Sequence, residues 1–135
     1  MVAASAWADQ RMGSSPLGRW LTQDREGVIE IAVCGVELCG RIVGMDAPAK
    51  ADGRQVVDVN GVPQCGLTIM HVAADGTGRW SGHIIDPDTG RTWRCALWVD
   101  ERNRLNLRGY VLVPALGQTQ FWTRFDGVPG ADCRF

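Results

Sequence analysis

Short strand-like segments recur along almost the whole chain, separated by turn residues, and no window holds a helical period longer than a turn or two. Val28 to Cys34 alternates, which predicts Ile29, Ile31 and Val33 on one face and Glu30 on the other. Gly35-Val36 suits a type II′ turn, with Gly at the first central position, and Leu38 to Val43 runs back. Further strands are predicted over 66–72, 78–85, 92–99, 104–111 and 119–125, with turn residues between them. Counting the short segment at Trp20-Leu21, the pattern predicts eight strands. That number closes well into an all-β, eight-stranded antiparallel up-and-down barrel, with an open sandwich as the alternative. Residues 45–65 form the one long loop-like stretch, and a loop of that length in a compact domain is functional or poorly ordered.

Composition narrows the class. A chain of 135 residues fits one domain, and 45% hydrophobic residues argue against wholesale disorder. Fourteen basic against fifteen acidic residues give a net charge of −1, so no long-range positive field recruits nucleic acid. No apolar run is long enough to span a bilayer as a helix. A membrane channel, a multidomain enzyme and a histone-like binder are excluded on these grounds.

The N-terminus and the cysteines bear on compartment. Met1 to Ala8 carries small-x-small steps ending in Ala6-Trp7-Ala8, which reads as a trimmed secretory signal with cleavage expected after Ala8. Residues 9–17 are expected to be a tail, 18–125 the barrel and 126–135 a second tail. Five cysteines (Cys34, Cys39, Cys65, Cys95 and Cys133) without a CxxC pair suit an oxidising compartment, so a periplasmic or secreted bacterial protein is expected. Cys34 and Cys39 flank the predicted tight turn and are expected to form a disulfide across the hairpin. The odd count leaves one thiol over, and the pairing among the other three stays open.

The segments Gly18-x-Trp20, Val33-Cys34-Gly35-x-x-Leu38-Cys39-Gly40-x-Ile42, Asp58-x-Asn60, Gly66-Leu67, Trp80-x-Gly82-x-Ile84-x-Asp86-Pro87-x-x-Gly90, Leu105-x-Leu107-Arg108-Gly109-Tyr110 and Thr119-Gln120-x-Trp122-x-Arg124 occur in order. Together they resemble a bacterial family of exported domains of unknown function, the DUF2147-type family, whose members look like small lipocalin- or streptavidin-like barrels. The resemblance runs from Gly18 to Arg124 and implies an eight-stranded barrel, export and no established activity. His83 and Ile85 depart from its usual Gly and Tyr, and Cys65, Cys95 and Cys133 look like additions of this chain. Gly18, Trp20 and Arg124 look like the closure device of lipocalin-type barrels, an Arg lying over a Trp at the barrel floor.

Chemistry-bearing residues are sparse. Trp80, Trp93, Trp98 and Tyr110, with Asp58 and Asn60 of the long loop, form the candidate ligand-binding set. Trp93 and Trp98 have opposite parity, so one of the two must face outward or mark a bulge. His71 and His83 lack a metal-ligand spacing, and Asp58 and Asp86 lack the bidentate Glu of a calcium loop, so no metal and no cofactor is expected. Ser14, Ser15 and Ser81 lie in no nucleophile elbow, and no phosphate-binding glycine loop occurs. Arg102, Arg104 and Arg108 read as a solvated hairpin.

The expectation is therefore a non-catalytic exported barrel binding a small hydrophobic or amphipathic molecule near the 45–65 loop. The alternative is a cell-envelope interaction or structural module with a filled barrel. An internal cavity of roughly 300 Å³ or more separates the first from the second. An enzyme would need Asp58, Asn60 and Asp86 to converge on one polar pocket.

Overall fold

The computed structural model describes residues 15–110 and 117–135. The signal remnant expected at 1–8 lies outside the described residues, as does most of the 9–17 tail. Eight strands form a closed antiparallel barrel in sequence order: β1 Gly18–Leu21, β2 Gly27–Cys34, β3 Glu37–Met45, β4 Thr68–Ala74, β5 Trp80–Ile85, β6 Thr92–Val99, β7 Leu105–Tyr110 and β8 Gln118–Arg124. Closure comes from β1 against β8, with Trp20 opposite Arg124 and Leu21 opposite Thr123. The open-sandwich alternative is thereby set aside.

Alternation explains the core. Trp20, Ile29, Ile31, Leu38, Ile42, Met70, Val72, Cys95, Leu97, Leu105, Leu107 and Trp122 pack together inside the barrel. Hairpin β2–β3 keeps the predicted two-residue turn: Cys34 pairs with Glu37, Gly35 has φ 67°, and Val36 keeps a negative φ, as a type II′ turn requires. Val33 departs from expectation. It shares the parity of Ile29 and Ile31, yet it is 65% exposed, because β1 begins at Gly18, opposite Ile31, and leaves that side of β2 uncovered at Val33. A register shift between Val28 and Ile29 lets both neighbours be buried, which strict alternation forbids.

Up-and-down connectivity sorts the turns to two ends. The floor carries the turns 35–36, 75–79 and 100–104 together with the start of β1. The mouth carries 22–26, 46–67 and 86–91. The long connection is ordered by its own short bridges, Ala49 with Gln55 and Val57 with Pro63. It is also held to the β5–β6 turn, where Val59 N donates to Pro87 O at 2.9 Å and Gln64 Nε2 to Asp88 Oδ1 at 2.8 Å. The segment 126–135 returns to the barrel. Met45 bridges to Arg134, and the ring of Phe125 meets Phe135 edge-on at 5.4 Å.

Gly82 sits on the inner face between Val72 and Cys95, where β4 and β5 approach too closely for a side chain. A Cβ there would run into the carbonyl oxygen of His71 and lie 2.9 Å from Val72 Cα. Backbone cannot yield as a side-chain tip can, so Gly82→Ala is expected to cost about 3 kcal/mol. Urea denaturation followed by tryptophan fluorescence measures it, and an unchanged midpoint would show that the two strands spread at no cost.

Candidate functional site

At the floor, Trp20 is fully buried and its Nε1 donates to Pro16 O at 2.8 Å. The Arg124 guanidinium lies 3.9 Å from the centre of that ring. Its Nη1 donates to Leu17 O at 2.7 Å and its Nη2 to Ser15 O at 2.8 Å. One side chain thus stacks on the aromatic face and fastens the incoming chain, two things a Lys in its place could not do together. Gly18, with φ 118°, allows the close approach: a Cβ there would lie 3.1 Å from Arg124 Nη1. Gly18, Trp20 and Arg124 thus lie against one another at the floor.

The candidate ligand-binding residues are not brought together. Trp80 and Trp93 share the inner-face parity of Leu97 and Cys95, but Trp80 stands near the floor and Trp93 near the mouth. Trp98 points outward, with the Arg79 guanidinium 3.9 Å from its ring centre. Tyr110 has the outward parity of its partner Arg94, yet it is buried, with the Arg94 guanidinium 5.7 Å from its ring centre. Asp58 Oδ1 accepts from the backbone N of Asn60 and Val62, both at 2.8 Å, a local Asx arrangement. Asp86 Oδ1 accepts from Asp88 N in the same way, so the two carboxylates serve their own turns instead of a shared pocket.

The interior is tightly filled over its lower and middle parts. Met70, Val72, Cys95, Leu97 and Leu105 retain no exposed surface, so no water-sized space adjoins them. Burial pushes the Cys95 thiol up to about 12, which leaves it protonated and unreactive. Only the mouth is different. Gln118 and Gln120 alternate onto the inner face yet stay exposed, and Gln120 Oε1 accepts from Trp122 Nε1 at 3.0 Å. Trp93 is partly exposed there, under Arg91 at 4.2 Å from its ring centre.

Among the described residues, crevices lie outside the barrel, and two bear on the candidate residues. One, about 270 Å³, runs between the returning C-terminal segment and the outer face of β1 to β3, where Glu30 pairs with Arg19 at 3.3 Å and Arg41 at 3.5 Å. The other, about 350 Å³, is bounded by Asp100, Glu101, Arg102 and Arg104 at the β6–β7 turn. The Asp100 carboxyl is lowered to about 2, first by the Asn106 amide and then by Arg104. The Asp75 carboxyl is also lowered to about 2, chiefly by Thr77. Both are turn-holding carboxylates. Of the basic hairpin, Arg104 pairs with Asp100 at 3.0 Å and Arg108 Nη1 donates to Thr119 Oγ1 at 2.8 Å.

Cys34 and Cys39 form the expected disulfide, diagonally on the outer face because Cys34 faces Glu37 and Cys39 faces Ala32. Cys65 pairs with Cys133 over a separation of 68 residues. That pairing was not readable, because the returning segment carries no periodic signal placing it beside the long loop. The place of His71 beside Cys39 is not readable from the sequence for a similar reason. Only the β3–β4 register, across a long connection and a shift at Gly40/Arg41, puts its Nδ1 3.3 Å from Cys39 Sγ. With Cys34 and Cys39 it forms the one His/Cys/Asp/Glu cluster of metal-ligand dimensions among the described residues, and there the sulfurs are bonded to each other. No helix of the described residues is long and apolar enough to cross a membrane.

A closed eight-stranded antiparallel barrel with a Trp–Arg floor is a lipocalin-like barrel. Among solved structures, the fold is similar to that of HP1028 from Helicobacter pylori, a protein of the lipocalin family. The TM-score is 0.61 at 15% identity, over 83% of this chain and 84% of that one. Residues 18–124 match the model of DUF2147, an uncharacterised protein family conserved in bacteria, and the chain belongs to that family. No curated protein matches it.

Proposed function

We propose that the protein is a non-catalytic exported module of the bacterial cell envelope that works by contact through its outer surface and rim. The observation that carries this reading is the packed interior. Five inward residues on β4, β6 and β7 have no accessible surface, so the lower and middle barrel offers a ligand no room. Two disulfides suit an oxidising compartment. The absence of catalysis is supported by Asp58, Asp75, Asp86 and Asp100, all of which hold their own turns. The apolar face offered for contact is the mouth loop, where Val57, Val59 and Val62 are exposed within a few residues.

Chemical cross-linking in intact envelopes tests this reading. A discrete cross-linked product is expected, and it should disappear in the Val57→Ser/Val59→Ser/Val62→Ser variant while the fold is kept. A small molecule that co-purifies and survives in native mass spectra of the folded protein would overturn the contact reading. It would favour binding of a small amphipathic ligand at the mouth, a second reading to which half-buried Trp93 and exposed Gln118 and Gln120 give specific support.

A further inference from the structure

The Cys34–Cys39 disulfide adds little to the fold. Its cysteines are five residues apart on strands already joined by a two-residue turn and paired in register. Cross-linking so short a span removes much less freedom from the unfolded chain than the 68-residue span of Cys65–Cys133. Its setting is also that of a reactive bond. Cys34 and Cys39 alternate outward, opposite to buried Ile31, Leu38 and Gly40, and neither is buried. Exposed His71 is paired with Cys39 across β3–β4, and its Nδ1 is 3.3 Å from Cys39 Sγ. On the same outer face, Glu37 and Arg41 flank Cys39 along β3, His83 on β5 is paired with His71, and Arg94 on β6 is paired with His83.

Going beyond the contact reading, we propose that Cys34–Cys39 with His71 is a thiol–disulfide exchange site that accepts electrons from an external thiol. An incoming thiolate attacks Cys34 Sγ. The new bond joins it to Cys34, the Cys34–Cys39 bond breaks, and the electron pair leaves on Cys39 Sγ as a thiolate. His71, with a proton on Nδ1, donates a hydrogen bond to that departing sulfur and so improves the leaving group. A second thiolate then attacks the incoming sulfur of the mixed disulfide and releases Cys34 as a thiolate. Two external thiols are oxidised to one disulfide, and the protein disulfide is reduced to two thiols. The donor is a thiol, either a small-molecule thiol or the dithiol of a protein.

The experiment treats folded, oxidised protein with reduced glutathione, quenches by alkylation and maps the cysteines by mass spectrometry over time. Cys34–Cys39 is expected to open at least about tenfold faster than Cys65–Cys133, through a mixed disulfide at Cys34. His71→Ala is expected to slow it about tenfold and leave the Cys65–Cys133 rate unchanged, which also reports that the fold is intact. A parallel arm with a thioredoxin-type dithiol protein at equal thiol concentration assigns the donor: the faster arm names its source. Equal opening rates for the two disulfides would overturn the site. An unchanged rate in His71→Ala, or a mixed disulfide at Cys39, would overturn the part given to His71.

Discussion

Trp20→Ala is expected to lower stability by about 3–5 kcal/mol, the range for removing a fully buried aromatic ring. The loss is more than a cavity. The ring is the platform for Arg124, and the indole N–H holds Pro16. Without the ring, a partly buried guanidinium keeps its backbone partners but loses its aromatic face. Burial already draws Arg124 below the ordinary guanidinium value. Trp98→Ala is the control, since that ring lies outside the barrel against Arg79 and should cost about 1 kcal/mol. Urea unfolding of both variants checks the pair. Equal losses would refute a closing role for Trp20.

Replacing Cys65 and Cys133 together by Ser is expected to cost about 4 kcal/mol, from the chain entropy that a loop of this length regains on unfolding. The native contacts of the returning segment do not require the bond: Met45 N donates to Cys133 O at 2.7 Å, and Phe125 meets Phe135. The variant should therefore fold to the same barrel and unfold earlier. Denaturation of oxidised wild type and variant measures the difference. A loss under about 1 kcal/mol would mean that the unfolded chain already keeps these segments together.

The barrel was legible because its strands alternate, its turns carry Gly, Asp, Asn and Pro, and Gly18, Trp20 and Arg124 stand at its two sequence ends. The 34–39 disulfide was legible for a local reason, since a two-residue turn fixes the register of its flanks. Val33 was misplaced because alternation assigns a face but does not say how far the neighbouring strand β1 covers it. Trp98 and Tyr110 could not be placed as walls of one cavity, because aromatic character alone does not fix the side of a sheet. Parity allowed only that Trp93 and Trp98 differ, and the structure turns Trp98 outward. His71 beside Cys39 and Cys65 beside Cys133 depend on register and packing across long connections, which no periodicity encodes.

The bond between Cys65 and Cys133 also divides the barrel unequally. β4 to β8 lie within one covalent circle, and β1 to β3 lie outside it as a free arm. In the barrel ladder that arm meets the circle along two borders, four residue pairs between β3 and β4 and two between β1 and β8, while Met45 also bonds the returning segment at Cys133. Cooperative opening should follow those borders, with the arm departing as a piece and the circle retaining its neighbours for longer. The Trp20–Arg124 stack stands on the shorter border. It acts as the clasp of a hoop, fastened where the backbone ladder itself is thinnest.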